Sequence, residues 1–387
     1  MTAPSAIADN LIIGGGLAGS MLAMRLAAAG RNVTVLEKER TAHHKVCGEF
    51  LSREAVDYLL QVGIDPLGLG AAPVRFVRLS SKGSRVEAAL PFTALSLSRL
   101  VLDEALLARA AQSGCAVERG ISVDGLAANG DLWFAQLRDC APLCARTVFL
   151  ANGKHDLHGW SRPRSSQSDL VAFKLHWRLA PDQCEALREF IELFLFSGGY
   201  GGLSLVEGDA ANLCLVVRHA RLRAVGGWDR LLASIVEENR LIRERLRDAK
   251  ALWIRPLALS SIPYGHLSTG PSGLWCVGDQ AAVIPSFTGD GMSIALHSAA
   301  LAAEMYLAGE DPQQYRRRLH DQLGPGMTLA TLLSRALVTA AARNLATTCL
   351  SLFPNALRWI AASTRIPEQA RLADPSPAPL SNIQIPQ

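Results

Sequence analysis

Three glycines, Gly14, Gly16 and Gly19, follow directly on the apolar run Leu11-Ile12-Ile13, and an acid, Glu37, closes the next β-rich run. Residues of these types at this spacing can hold a pyrophosphate against a helix N-terminus. Gly14 permits the tight turn out of a strand. Gly16 leaves room for phosphate oxygens where a Cβ would intrude, and Gly19 lets helix and strand pack closely. Leu17 and Ala18 stand at the helix start that faces the phosphates. Glu37, with Lys38 beside it, lies about 20 residues on, where a carboxylate accepts hydrogen bonds from both hydroxyls of an adenosine ribose. An unmodified 2′-hydroxyl is implied, so FAD or NAD fits and NADP does not.

The elements that must position these residues are legible around them. Leu11 to Ile13 reads as a strand buried on both faces, Ala18 to Ala29 as a helix stopped by Gly30, and Asn32 to Leu36 as a second strand parallel to the first. A second constellation lies far along the chain, in the stretch from Gly273 to Met292. An apolar strand leads through Gly278 to Asp279, whose carboxylate can hold a ribityl hydroxyl. Pro285 shapes the next loop, and Gly289-Asp290-Gly291-Met292 opens a helix running to about Leu307. Free N–H groups at that helix start can stabilise negative charge on a reduced flavin.

The whole chain narrows the classes. Its 387 residues suffice for one large or two ordinary domains, and 39 basic against 35 acidic residues leave a formal charge of +4, too slight to argue for nucleic acid. The eight cysteines are dispersed. Cys140 and Cys144 have three residues between them rather than the two of a redox or zinc pair, so free, mostly buried thiols in a reducing compartment are expected, and no metal site. No segment reads as a signal peptide, and no apolar stretch of about 18 residues is free of charge, so no spanning helix is expected.

Lys45-x-Cys47-Gly48, following such a nucleotide-binding unit, resembles the geranylgeranyl reductase branch of FAD-dependent oxidoreductases. That branch is close to the flavin monooxygenases and flavin halogenases of the aromatic-hydroxylase fold. The resemblance runs from about Ala8 to Leu307. It implies that the Lys45–Glu49 loop passes beside the isoalloxazine, which makes Lys45, Cys47 and Gly48 candidate cofactor contacts and Cys47 and Glu49 candidate catalytic residues. It also implies that Arg99, next to the helix N-cap Ser98, touches FAD. Asn152 stands where related hydroxylases carry the acid of an Asp-Gly pair, which keeps an acceptor but removes the charge.

The fold implied is α/β: a Rossmann-like FAD-binding domain (1–72, 96–165 and 266–324) interleaved with an antiparallel-sheet substrate domain (73–95 and 166–265). A C-terminal helical segment (325–373) and a disordered tail (374–387) complete it. Asp169 to Leu179 is the clearest amphipathic strand, with Lys174, His176 and Arg178 expected on a solvated face. Gly227 to Ala249 reads as one helix. The four glycines around Tyr200 fit either a close approach to a ligand or a flexible hairpin, and this chain lacks the Trp and Pro of the Tyr-x-Trp-x-Phe-Pro signature of geranylgeranyl reductases there.

The leading expectation is an FAD-dependent monooxygenase that hydroxylates an apolar phenolic or polyketide-like substrate through a flavin C4a-hydroperoxide, with oxygen as co-substrate. A geranylgeranyl-reductase-like saturase of carbon–carbon double bonds is the alternative, ahead of a halogenase or a non-catalytic flavoprotein. NAD(P)H is the expected donor, acting directly or through a separate flavin reductase. A cytoplasmic location is expected. The C-terminal helices would either cap the cavity or dock peripherally on the inner face of the membrane, and packing on the main body is favoured.

Overall fold

Leu11, Ile12 and Ile13 are buried because they run through the middle of a largely parallel sheet, covered on both faces. The structure, a computed structural model, describes residues 7–162, 169–268, 273–338 and 362–372. Its first half contains β1 (Ile7–Ile13), α1 (Leu17–Ala28), β2 (Val33–Glu37), β3 (Phe50–Leu51), α2 (Arg53–Gln61), β4 (Ala72–Ser81), β5 (Ser84–Ser96), α3 (Arg99–Gln112), β6 (Ala116–Arg119), β7 (Val123–Asn129), β8 (Leu132–Leu137) and β9 (Leu143–Leu150). Next come β10 (Leu170–Arg178), α4 (Pro181–Leu187), β11 (Glu189–Phe196), β12 (Gly199–Leu205), β13 (Ala211–Arg218), α5 (His219–Val225), α6 (Trp228–Glu238) and α7 (Arg240–Arg245). The described chain then runs through β14 (Lys250–Ala251), β15 (Leu257–Ser260), β16 (His266–Leu267), β17 (Trp275–Cys276), β18 (Ala282–Val283), α8 (Gly291–Leu307) and α9 (Pro312–Leu337).

The first sheet has the order β6-β2-β1-β9-β8-β7, with β17 added beside β9. Ile12 pairs in parallel with Val35 on one side and Phe149 on the other. Parallel neighbours need helical crossovers, so α1, α3 and α8 pack on one face around Met21, Leu22, Leu102, Leu106 and Leu296, while Leu11 and Ile13 face a second cluster with Leu126, Val148 and Leu274. The expected caps hold: Ser98 Oγ accepts from the Val101 N–H at 3.2 Å, and Gly30 takes φ +74° just past α1.

The second sheet has the order β14-β10-β13-β12-β11-β4-β5-β3, with β15 also on β10. Its pairs are antiparallel except β4 with β11. One face rests on α5, α6 and α7 through Phe173, Leu215, Leu231 and Ile235. The opposite face carries Ala172, Leu195, Tyr200 and Val216 and turns toward the first sheet's C-terminal edge.

Three expectations are corrected here. Lys174 and His176 do not lie on a solvated face: they are 0 % and 3 % exposed, because the face they share with Ala172 is itself covered, and Arg178 alone stays exposed. Gly227 to Ala249 is two helices, because the buried Asn239 side chain leaves the helical register, accepts from the Ile242 N–H at 3.2 Å and starts α7. Pro325 lies inside α9 rather than opening a new segment, since α9 begins at the Asp311 capping box. Of the C-terminal expectations, residues 339–361 and the tail 374–387 fall outside the described residues. No described helix is long and apolar enough to cross a membrane.

Candidate functional site

Gly14 leaves β1 at φ +109°, and its N–H donates to the Leu36 carbonyl at 2.8 Å. A Cβ there would sit 2.5 Å from the Ala151 oxygen, and one at Gly19 would sit 1.9 Å from the Gly14 oxygen, so both are closed by backbone packing. Gly16 differs. A Cβ on it would project toward Lys45 Nζ at 3.5 Å and Arg99 Nη2 at 3.6 Å, into open volume above the turn. The start of α1 has neither a side-chain cap nor an acid in its first turn, so its N–H groups are left for an anion.

Two cations overhang this cradle because α3 places Asp103 one turn after Arg99. The Asp103 carboxylate binds Arg99 through bonds of 2.6 and 2.8 Å and Lys45 at 2.8 Å. Burial pushes its carboxyl up, but the Arg99 and Lys45 charges outweigh that and hold it below the usual carboxylate range. Asp103 escaped the sequence reading, although its i,i+4 spacing from Arg99 was available as a signal. Glu37 closes the other end: its carboxylate accepts from the N–H groups of Gly15 at 2.9 Å and Glu39 at 3.0 Å.

Asp279 is delivered by a short 3-10 turn, 278–280, after the two-residue strand β17. Arg162 donates to the Asp279 carbonyl at 2.8 Å, and Gln280 donates to the carbonyls of Gly153 and His155 at 2.7 and 2.9 Å, tying the turn to the Asn152 loop. Asn152 donates to the His155 carbonyl, while its Oδ1 is buried without a hydrogen-bond partner. Other atoms of Asn152 line the cavity that joins these parts.

The loop after β2 completes the site. Glu49 takes φ +59°, and its N–H donates to Cys47 Sγ at 3.4 Å. The Glu49 carboxylate is fully buried. One oxygen accepts from Lys174 Nζ and from the Arg99 N–H at 2.7 Å, and the other bonds His176 Nε2 at 2.8 Å. Burial, the largest influence, raises this carboxyl, and the His176 hydrogen bond together with the Lys174 charge overcomes it, for a net lowering. His44 is half-buried against His176 and Trp253, with ring centroids 4.9 and 4.4 Å apart. Burial, then the neighbouring Lys174 and His176, lower its imidazole to about 4.

One continuous cavity of about 1040 Å³ joins these parts. Gly14, Gly16, Leu17, Ala18, Glu37, Lys38, Lys45, Cys47, Gly48, Glu49, Arg99, Asn152, Gly278, Asp279, Gly289, Gly291 and Met292 all line it. Gly19, Pro285 and Asp290 do not, and stand behind its wall. The glycines near Tyr200 have a packing reason: a Cβ at Gly199 or Gly201 would meet the Phe196 or Phe194 ring at 2.6 and 2.2 Å.

Asp290 accepts from Thr364 Oγ1 at 3.0 Å, and burial raises its carboxyl to about 7. The unfolded chain loses that proton near the ordinary value of 3.8, so the native state is progressively penalised as pH rises from 4 to 7. An Asp290→Asn apoprotein is therefore expected to match the parent's melting temperature near pH 4 and to exceed it increasingly up to pH 7. Parallel melting curves across that range would refute the assignment.

The residues fit FAD: an anion cradle that a Cβ would fill, an acid at ribose distance along the motif, and a cavity that reaches both Glu37 and Asp279. A family model described as an FAD binding domain matches residues 8–148. The menaquinone reductase of Mycobacterium tuberculosis is 26% identical over 345 residues, covering 84% of this chain and 83% of that protein. The digeranylgeranylglycerophospholipid reductase 2 of Methanopyrus kandleri is 26% identical over 316 residues, covering 77% and 76%. Among solved structures, the flavin-dependent brominase Bmp2 superposes with a TM-score of 0.77 at 16% identity, over 95% of this chain and 96% of its own, and shares the fold. This chain is an FAD-dependent oxidoreductase with an FAD binding domain at residues 8–148, similar over most of its length to a menaquinone reductase and a digeranylgeranylglycerophospholipid reductase.

Proposed function

We propose that the protein saturates carbon–carbon double bonds of an apolar, isoprenoid-like substrate. The observation that carries this reading is the lining of the cavity beyond Gly48. Leu79, Leu193, Leu195, Leu259, Ile262 and Leu337 give it an aliphatic surface suited to a flexible hydrocarbon chain. The relatives named above as menaquinone and digeranylgeranylglycerophospholipid reductases support the same class.

Bound FAD supplies the electron pair as a hydride. The protein's own residues must bind the cofactor, keep the chamber dry and deliver a proton to the second alkene carbon. Gly16, the α1 N–H groups, Lys45 and Arg99 take the pyrophosphate, and Glu37 takes the ribose. Cys47 is the proton donor of this proposal, because its sulfur accepts from the Glu49 N–H and leaves its own S–H free to point into the cavity. NAD(P)H, directly or through a flavin reductase, is the proposed electron source. Exposed Leu252 and Ile254, beside Arg255, suit a peripheral encounter with a lipid surface that holds such a substrate.

Hydroxylation of a phenolic or polyketide-like substrate is the second reading, favoured by the Tyr264–Ser286 bond of 2.8 Å and the Tyr200–Ser286 contact of 3.4 Å. These three hydroxyls can hold a phenol. To separate the readings, FAD-loaded protein reduced with dithionite is incubated anaerobically with a polyprenyl-substituted phenol, which carries alkenes and a phenol ring but no quinone carbonyls to reduce, and products are weighed by mass spectrometry. Gain of two hydrogens without oxygen is expected, with Cys47→Ala slowed by about 10²-fold at unchanged FAD content. A product that gains oxygen, and only after air is admitted, would establish the hydroxylase instead.

A further inference from the structure

Glu49 is held more elaborately than a loop anchor requires. Its backbone occupies the left-handed region at φ +59°, its side chain is wholly buried, and its carboxylate engages Lys174, His176 and the Arg99 N–H. Lys174 is equally buried, on the neighbouring domain's sheet. The loop is pinned at Cys47 and at Glu49: Asn212 Nδ2 donates to the Cys47 carbonyl at 3.1 Å, and Ser96 Oγ donates to the Glu49 carbonyl at 3.0 Å.

The nitrogens of His44 and His176 and an oxygen of Glu49 lie within 4.8 Å of one another, spacing that could hold a metal ion. Lys174 argues otherwise. Its ammonium already contributes the positive charge on Glu49, and a divalent ion beside it would be repelled. The cluster is therefore a closed pair of opposite charges with histidine support.

Its position gives the pair a use. The cavity runs from Glu37 and the Gly16 cradle past Asp279 to a wall formed by Cys47, Gly48 and Glu49. A dinucleotide with its adenosine at Glu37 and its pyrophosphate on Gly16 extends its other half toward that wall. Gly48 and Gly291 meet nothing within 4 Å where a Cβ would be, which leaves space there. Charges buried beside such a ring act through a low dielectric and are weakly screened.

We propose that Glu49 and Lys174, steadied by His176, form a positioning pair that fixes the Cys47–Gly48 edge against the bound flavin and, by cancelling each other's charge, sets its reduction potential. The proposal rests on FAD binding and is independent of which reaction the enzyme performs. Reduction adds negative charge to the ring, so an uncompensated Lys174 favours the reduced form and an uncompensated Glu49 disfavours it.

The test is a spectroelectrochemical titration of FAD-loaded protein at fixed pH, with FAD content and melting temperature recorded alongside. Glu49→Gln should raise the reduced-to-oxidised equilibrium about tenfold, which is about 30 mV for a two-electron couple, and Lys174→Gln should lower it by a similar factor. The double variant should return close to the parent. Either single variant suffices if the other does not load FAD. Shifts of the same sign, no shift, or failure of both single variants to load FAD would each overturn the potential-setting role and leave a purely structural pair.

Discussion

Gly16→Val protein is expected to purify folded but colourless, with FAD affinity reduced by about a hundredfold or more. A branched side chain at this position projects from the turn toward Lys45 and Arg99, which lie 3.5 and 3.6 Å from the first added atom. On the proposed reading it would take the space of the phosphate oxygens, and its first atom meets side chains rather than backbone, so the fold should survive while the anion site is lost. Overpacking of this kind costs about 1–3 kcal/mol, and the bonds from the α1 N–H groups to phosphate are forfeited as well, so a loss near 3 kcal/mol, about a hundredfold, follows. Flavin absorbance of the purified protein and titration of the apoprotein with FAD measure it. Gly19→Val provides the contrast: its Cβ would lie 1.9 Å from the Gly14 oxygen, so that variant should fail to fold rather than fold empty. Retention of full FAD occupancy by Gly16→Val would show that the cofactor does not pass over this turn.

Glu192→Ala should cost about 3–5 kcal/mol of stability without touching the cofactor. Glu192 is fully buried in β11, on the sheet face that carries α4 and α7. It receives Arg78 from β4 and Arg245 from α7, the latter through contacts of 2.8 to 3.1 Å, and Arg245 also donates to Gln183 at 2.6 Å. Removing the carboxylate deprives the buried Arg245 guanidinium of this partner and leaves Arg78 with only Glu87, 2.9 Å away at the edge of the cluster. Native domains have about 5–15 kcal/mol in hand, so this one change consumes a large share. A denaturant midpoint measured on the FAD-loaded protein should fall steeply, while the flavin spectrum of the folded fraction stays that of the parent. A change below about 1 kcal/mol would mean that water reaches the cluster and the pair is effectively exposed.

These two variants also separate what is local from what is assembled. The Gly16 prediction was available from residue types alone, because a glycine-rich turn between a buried strand and a helix is specified by backbone conformation and by contacts close in sequence. Ser98 as the cap of α3, Gly30 after α1, and the helix from Gly291 to Leu307 are legible for the same reason. Glu192 carried no such signal. Its partners lie 114 and 53 residues away, and nothing in the local pattern of β11 distinguishes a buried acid served by two arginines from an exposed one.

The strand β10 shows where the limit falls. Alternation in Asp169 to Leu179 correctly separates two faces, since side chains in a strand alternate with a period of two. It does not say which face is covered. Lys174 and His176 looked like solvated residues, yet the covering element is the Lys45–Glu49 loop, more than a hundred residues earlier. A charge is stable in that position only because its partner is delivered there by another part of the chain, and pairing of that kind is a property of the assembled molecule. His44, Asp103 and Trp253 join the site in the same way. By itself the sequence determined the β-α-β turn, the helix starts and the acid that ends β2, all set by short-range geometry. Tertiary structure alone decided that Glu49 meets Lys174 and His176 on the second sheet, because burial and charge pairing depend on what distant segments bring into contact.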